Sequence, residues 1–148
     1  MQSSLSFHAL SAPLSGKVLS AFRKDAGWSE RDLPAASAGG QWGGQAQWVT
    51  VESGKKRVAI ALLELAPPQF CFVSDLIVLR THRGRGVGEW FMRQIEGHCL
   101  KQGIPRVLLQ PMADNRAFYE KLHFVADPLA AGVLKKEILP LQRRKLPF

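Results

Sequence analysis

The chain has 148 residues, 46% apolar and 22% charged, enough to bury a proper core and too apolar for a disordered or fibrous class. No apolar run approaches the ~20 residues that span a bilayer, and the opening Met1-Gln2-Ser3-Ser4 lacks the basic region of a signal peptide. The formal charge is +8, from 20 basic and 12 acidic residues, which permits an anionic ligand or a nucleic acid. Cys71 and Cys99 lack metal-ligand spacing, so they suit a reducing, cytoplasmic setting better than a disulfide scaffold.

Residues 5–10 read as a first strand, and the spacing of Val18, Leu19, Phe22 and Trp28 predicts a helix over 16–28. Residues 29–44, rich in Ser, Ala, Gly and Pro, show no period and read as a long loop of the kind that often carries function. Strands are expected at 45–52, where Val49 and Val51 share a face, at 57–65 and, beyond Pro67-Pro68, at 70–79. Short turns between them imply an antiparallel meander. Residues 87–102 give the clearest helix, with a stripe of Val87, Trp90, Phe91, Ile95 and Leu100, a Glu89–Arg93 pair and Gly103 at its end. A buried strand at 107–110 would be reached by a right-handed strand–helix–strand crossover. A short helix over 115–122 and a last strand within 132–139 complete one mixed α/β domain, 1–148, with a basic tail over 140–148.

The run Arg83-Gly84-Arg85-Gly86-Val87-Gly88 falls between a strand and the clearest helix. Glycines let the backbone approach a ligand closely, and the unpaired amides of the helix's first turn would face it with the positive end of the dipole. That is an anion site, best suited to phosphates. Two common phosphate motifs are excluded. Counting from Gly84, the last glycine of a dinucleotide fingerprint is replaced by Glu89, and neither Gly16-Lys17 nor Gly54-Lys55 is followed by the Ser or Thr of a P-loop.

What remains is Arg/Gln-x-x-Gly-x-Gly/Ala after the strand Asp75-Leu76-Ile77-Val78, followed downstream by Phe118-Tyr119-Glu120-Lys121-Leu122-His123-Phe124. These motifs, in this order, resemble the GNAT family of N-acetyltransferases over about Val58 to Phe124. The resemblance implies a mixed, α+β-like GNAT fold. Its central, mostly antiparallel sheet would have one β-α-β crossover and two splayed strands that hold acetyl-coenzyme A. It also implies direct transfer of an acetyl group to a primary amine in a ternary complex.

Carried over by position, Arg83, Gly84, Arg85, Gly86, Val87 and Gly88 would hold the pyrophosphate. Backbone groups of Ile77 and Val78 would meet the pantetheine, and one of their amides would polarise the thioester carbonyl. Tyr119, the only tyrosine, stands where the family often protonates the departing thiolate; it is alternatively a core aromatic. Asn115 matches an asparagine that contacts the cofactor, but it lies closer to the tyrosine than in the family and is equally an N-cap. His123 replaces a usual glycine, which implies a less demanding backbone or a side chain turned to the cleft, if it is not simply a surface histidine.

Candidates for a general base are Asp75 and Glu64; the position before Asp75, acidic in several relatives, is Ser74 here. Asp75 could equally be the partner of an arginine or an amide. No cysteine lies in the matched motifs, which argues against an acyl-cysteine. The acceptor, a small-molecule or peptide amine, would enter beside the first helix and the 29–44 loop. Trp28, Trp42 and Trp48 could line its site, and Glu30 and Asp32 are the few acids there. The competing class is a non-catalytic module on the same fold, sensing acetyl-coenzyme A or binding a partner. The charge and the tail Arg143-Arg144-Lys145 favour it, but no nucleic-acid motif is present. A homodimer is compatible with all of this, and no metal or membrane role is expected.

Overall fold

A computed structural model describes residues 4–28 and 43–139. Most of the 29–44 loop, with Glu30, Asp32 and Trp42, and the basic tail over 140–148 lie outside the described residues. The element order is β1 (Leu5–Ala9), α1 (Gly16–Asp25), β2 (Gln45–Ser53), β3 (Lys56–Ala66), β4 (Phe70–Val78), α2 (Val87–Lys101), β5 (Arg106–Leu109), α3 (Arg116–Lys121), β6 (Val125–Ala126) and β7 (Leu134–Glu137). A 3₁₀ turn, Arg80–His82, links β4 to the glycine run.

The strands form one seven-stranded sheet in the order β1-β2-β3-β4-β5-β7-β6. All pairings are antiparallel except β4 with β5, which the β4-α2-β5 crossover makes parallel. The mixed sheet expected from the sequence is therefore present. The interior strand β3 is buried over Val58–Leu65, and its residues divide between two cores. Ala61, Leu63 and Leu65 join Phe91 and Ile95 of α2, while Ile60 joins Ile77, Leu14 and Phe22 on the α1 side.

α1 begins at Ser15, whose Oγ accepts a hydrogen bond from the Val18 amide at 3.2 Å, the satisfaction an N-cap provides. It ends at Asp25 rather than at Trp28, because Gly27 takes a left-handed φ of 75°. α2 buries Val87, Phe91, Met92, Ile95 and Cys99. Leu100, expected on the buried stripe, is 42% exposed; Cys99 and Met92 take that face instead. Two small features escape the pattern: the 3₁₀ turn and the two-residue β6, both too short to show a period.

Candidate active site

β4 and β5 pair over three registers only, Cys71–Val107, Phe72–Leu108 and Val73–Leu109. Beyond Val73 the strands part, and the rest of β4 pairs only with β3. The parting has a local cause. Ile60 faces Ile77 while Leu62 faces Ser74, so β4 carries one extra residue there. Asp75 takes it up with a left-handed φ of 52°, a conformation that Asp tolerates better than most side chains. Such bulges bend a strand and re-aim the residues beyond them. Here Leu76, Ile77 and Val78 are carried to the wall of a cavity of about 460 Å³.

The glycine run closes one end of that cavity. Gly84 and Gly86 have φ of 73° and 81°, and Gly86 is the N-cap of α2 with no side chain to cap it. The free amides of the first turn therefore face whatever occupies the cavity, as an anion-binding helix start does. Val87 is buried in the main core and pins this turn to the sheet. Gly88 is fixed by contact rather than by φ, since a Cβ there would lie 3.1 Å from Phe118 Cζ. α2 and α3 thus meet edge to edge, and the loop and Tyr119 sit on elements braced against each other.

Tyr119 is 5% exposed, lines the cavity, and packs T-shaped on Phe118 and Phe124 at ring distances of 5.0 and 5.8 Å. Burial pushes its phenol above the ordinary tyrosine value, so it stays a neutral proton donor at physiological pH. Asn115 stands at the N-cap position of α3, yet its side chain makes no capping bond. Its Oδ1 is instead buried without a partner among the described residues, and the residue lines the cavity. A buried unpaired acceptor costs free energy unless a ligand supplies the donor.

Several expected site residues are placed differently. Both oxygens of Asp75 accept hydrogen bonds from Arg23 of α1 at 2.9–3.0 Å, and its side chain is 1% exposed. Burial raises its carboxyl above the usual value, and Arg23 opposes that shift. Asp75 is not on the cavity wall, and the arginine-partner reading describes its geometry. Glu64, 3% exposed, accepts the Gly44 amide at 2.8 Å and anchors the chain entering β2. It too is off the cavity wall. Arg83 lines the cavity, but its Nε donates to the Val78 carbonyl at 2.8 Å and an Nη lies 3.9 Å from Asp25. Arg85 is exposed and off the wall.

His123 is exposed, the surface histidine among its readings, and marks neither a less demanding backbone nor a side chain turned to the cleft. It has a left-handed φ of 75° at the end of α3 and is not on the cavity wall. The cavity also includes Trp28, His82 and Asp114. Of these only Trp28 stands out in the sequence; Trp48 packs in the α1-side core instead. His82 could have been found from its place directly before the glycine run.

The sequence matches the Acetyltransferase (GNAT) family over residues 17–124. The chain belongs to the GNAT acetyltransferase family. Acetyl-coenzyme A is the donor in that family. Solved GNAT structures share the fold. The ribosomal-protein-S18-alanine N-acetyltransferase from Escherichia coli is 18% identical, with a TM-score of 0.65 over 91% of this chain and 94% of that one. The PaiA N-acetyltransferase from Thermoplasma acidophilum, solved in complex with coenzyme A, is 15% identical, with a TM-score of 0.64 over 89% and 99%. N-acetylglutamate synthase from Neisseria gonorrhoeae, complexed with coenzyme A and L-arginine, is 13% identical, with a TM-score of 0.68 over 94% of this chain and 34% of that one. Among curated proteins, none matches the sequence significantly.

Proposed function

We propose that this GNAT protein transfers an acetyl group from acetyl-coenzyme A directly to a primary amine of a small molecule or peptide. The supporting observation is a cavity that joins the unpaired edge of β4, the open N-terminus of α2 and the Tyr119 ring. Its residues fit the donor. Asn115 Oδ1 needs a hydrogen-bond donor, and the first turn of α2 offers amides to phosphates.

Acetyl-coenzyme A brings the acetyl group as a thioester when bound. Backbone groups of Ile77 and Val78 would align the pantetheine as a neighbouring strand aligns, and an amide of this edge would polarise the carbonyl. Tyr119, kept protonated by its burial, would hand its proton to the leaving sulfur. The α2 N-terminus, with Gly84, Gly86 and Gly88, would hold the pyrophosphate. Cys71 and Cys99 are buried and off the cavity wall, which supports direct transfer over an acyl-cysteine route. With Asp75 and Glu64 engaged in structural bonds, the amine would reach the site already neutral or lose its proton to water.

The test is calorimetric titration with acetyl-coenzyme A of the wild type and of Gly86→Glu. A Cβ at Gly86 meets nothing within 4 Å, but the φ of 81° there strains any side chain, so a thermal melt of the variant accompanies the titration to separate opposition to the phosphates from loss of the fold. Micromolar binding, lost in the variant, supports the reading and justifies assaying amines. Absence of binding by the wild type overturns it.

A further inference from the structure

The side chains that composition offers to a pyrophosphate are mostly committed elsewhere. Arg83 spends its Nε on the Val78 carbonyl and leans toward Asp25, and Arg85 stays off the cavity wall. Arg80, one turn earlier, bonds Asp25 through its Nε and its backbone amide. The cavity wall meanwhile includes two carboxylates, Glu89 and Asp114, of which Glu89 is paired with Arg93 at 2.7 Å. Two basic side chains of this segment line the cavity, Arg83 and His82; Arg83 is tethered through its Nε, and the His82 ring, held only through Nδ1, keeps its Nε2 without a partner among the described residues.

The His82 ring is held from one side. Its Nδ1 lies 2.9 Å from Thr81 Oγ1, within the 3₁₀ turn that leads into the glycine run. When the threonine hydroxyl donates to Nδ1, the ring carries its proton on Nε2, which has no partner among the described residues. In that tautomer the ring, on a side chain that lines the cavity, has an Nε2–H to offer a ligand. Because the turn abuts the run Arg83–Gly88, that donor is delivered at the phosphate end of the cavity rather than at Tyr119.

We propose that His82, oriented by Thr81, is a further donor-binding residue whose Nε2–H hydrogen-bonds a pyrophosphate oxygen of acetyl-coenzyme A. The proposal rests on the cavity being the acetyl-coenzyme A site. It assigns recognition of the phosphates partly to an imidazole, where the sequence pointed to arginines. Thr81 is a positioning residue here, acting only through the ring.

The experiment is titration of acetyl-coenzyme A into the wild type, His82→Leu, His82→Gln and Thr81→Val, with thermal melts of each unliganded protein. The phosphorus NMR spectrum of bound coenzyme A is recorded for the wild type and His82→Leu. His82→Leu is expected to weaken binding about tenfold, the usual scale for losing a hydrogen bond to a charged group. His82→Gln, whose amide nitrogen can stand in for Nε2, should recover much of this, and Thr81→Val should weaken binding less than His82→Leu. The pyrophosphate resonances should move in His82→Leu while the 3′-phosphate resonance stays, with unliganded melting points unchanged. Unaltered affinity in His82→Leu, or a change confined to the 3′-phosphate, overturns the proposal. Failure of the wild type to bind overturns the underlying functional reading instead, so the two failures are distinct.

Discussion

Arg23 of α1 and Asp75 of β4 are joined by three hydrogen bonds of 2.9–3.0 Å, Nε and Nη2 to Oδ1 and Nη2 to Oδ2. The pair ties the helix to the one residue of β4 that must take a left-handed φ for the strand to bulge. Breaking a buried pair leaves an uncompensated charge, so Asp75→Ala should cost about 3 kcal/mol, the low end for such pairs because Arg23 keeps some solvent contact. Arg23→Lys should recover only part, since a point charge cannot match the two-pronged contact. Urea denaturation of the three proteins measures both. A loss under about 0.5 kcal/mol, the scale of an ordinary surface change, would mean the bulge holds without the pair.

Tyr119 can be followed on its own because the chain has no other tyrosine. Its phenol is raised in the folded state by burial alone. A raised value means that the folded protein holds the proton more tightly than the unfolded chain. The stability this contributes is complete below the ordinary phenol value of ~10 and is lost as pH rises above it. Alkaline titration should therefore show no tyrosinate absorbance through that range until the protein unfolds, when absorbance and circular dichroism change together. Tyrosinate appearing in still-folded protein at ordinary pH would contradict the burial of the ring.

Tyr119→Phe keeps the T-shaped packing and removes only the hydroxyl. Once an acceptor is found, kcat should fall at least tenfold, within the range of general acid catalysis, while affinity for acetyl-coenzyme A changes little. An equal kcat would leave Tyr119 a packing residue.

His123 terminates α3 with φ at 75°, while its amide bonds the Glu120 carbonyl and the Phe124 amide bonds the Tyr119 carbonyl. Helices that end this way favour glycine, because a side chain strains the left-handed region. His123→Gly should accordingly raise stability by up to about 1 kcal/mol, seen as a higher melting point. A lower one would mean that the imidazole makes contacts worth more than the strain.

Cys71 and Cys99 are both buried, and the Cys71 thiol is pushed up first by its hydrogen bond with Cys99 and then by burial. Thiolates react and thiols do not. Iodoacetamide should label neither residue in the native protein and both after unfolding, as mass spectrometry would show. Labelling at the native rate of a free thiol would place one of them near solvent.

The elements are legible where side chains repeat. Val49 and Val51, the apolar run of β3, and Val87, Phe91 and Ile95 of α2 announce their periods and occupy the main core. The glycine run is legible because a strand before it and a helix after it fix what glycines are for. The site's polar detail is not. Asp75 reads in sequence as either a base or the partner of an arginine or amide, and only the fold names that partner, Arg23, 52 residues away. His82 has only its place directly before the motif to mark it, and nothing local shows that its ring lines the cavity. His123 is opaque for a related reason: a residue type does not reveal its own φ. The apolar spacing overstates the extent of α1 because Trp28 continues it after Gly27 has already turned the chain.

The edge of β4 that faces away from β3 beyond Val73, where β5 no longer pairs with it, has one further consequence. A strand edge addresses its neighbour with amides and carbonyls, which nineteen of the twenty amino acids supply alike. Selection on that contact is therefore nearly blind to side chains and sees mainly the absence of an amide. Proline is the residue this edge should never accept, while Val, Ile and Leu should exchange there, each answering to the core and to the cavity wall that it lines.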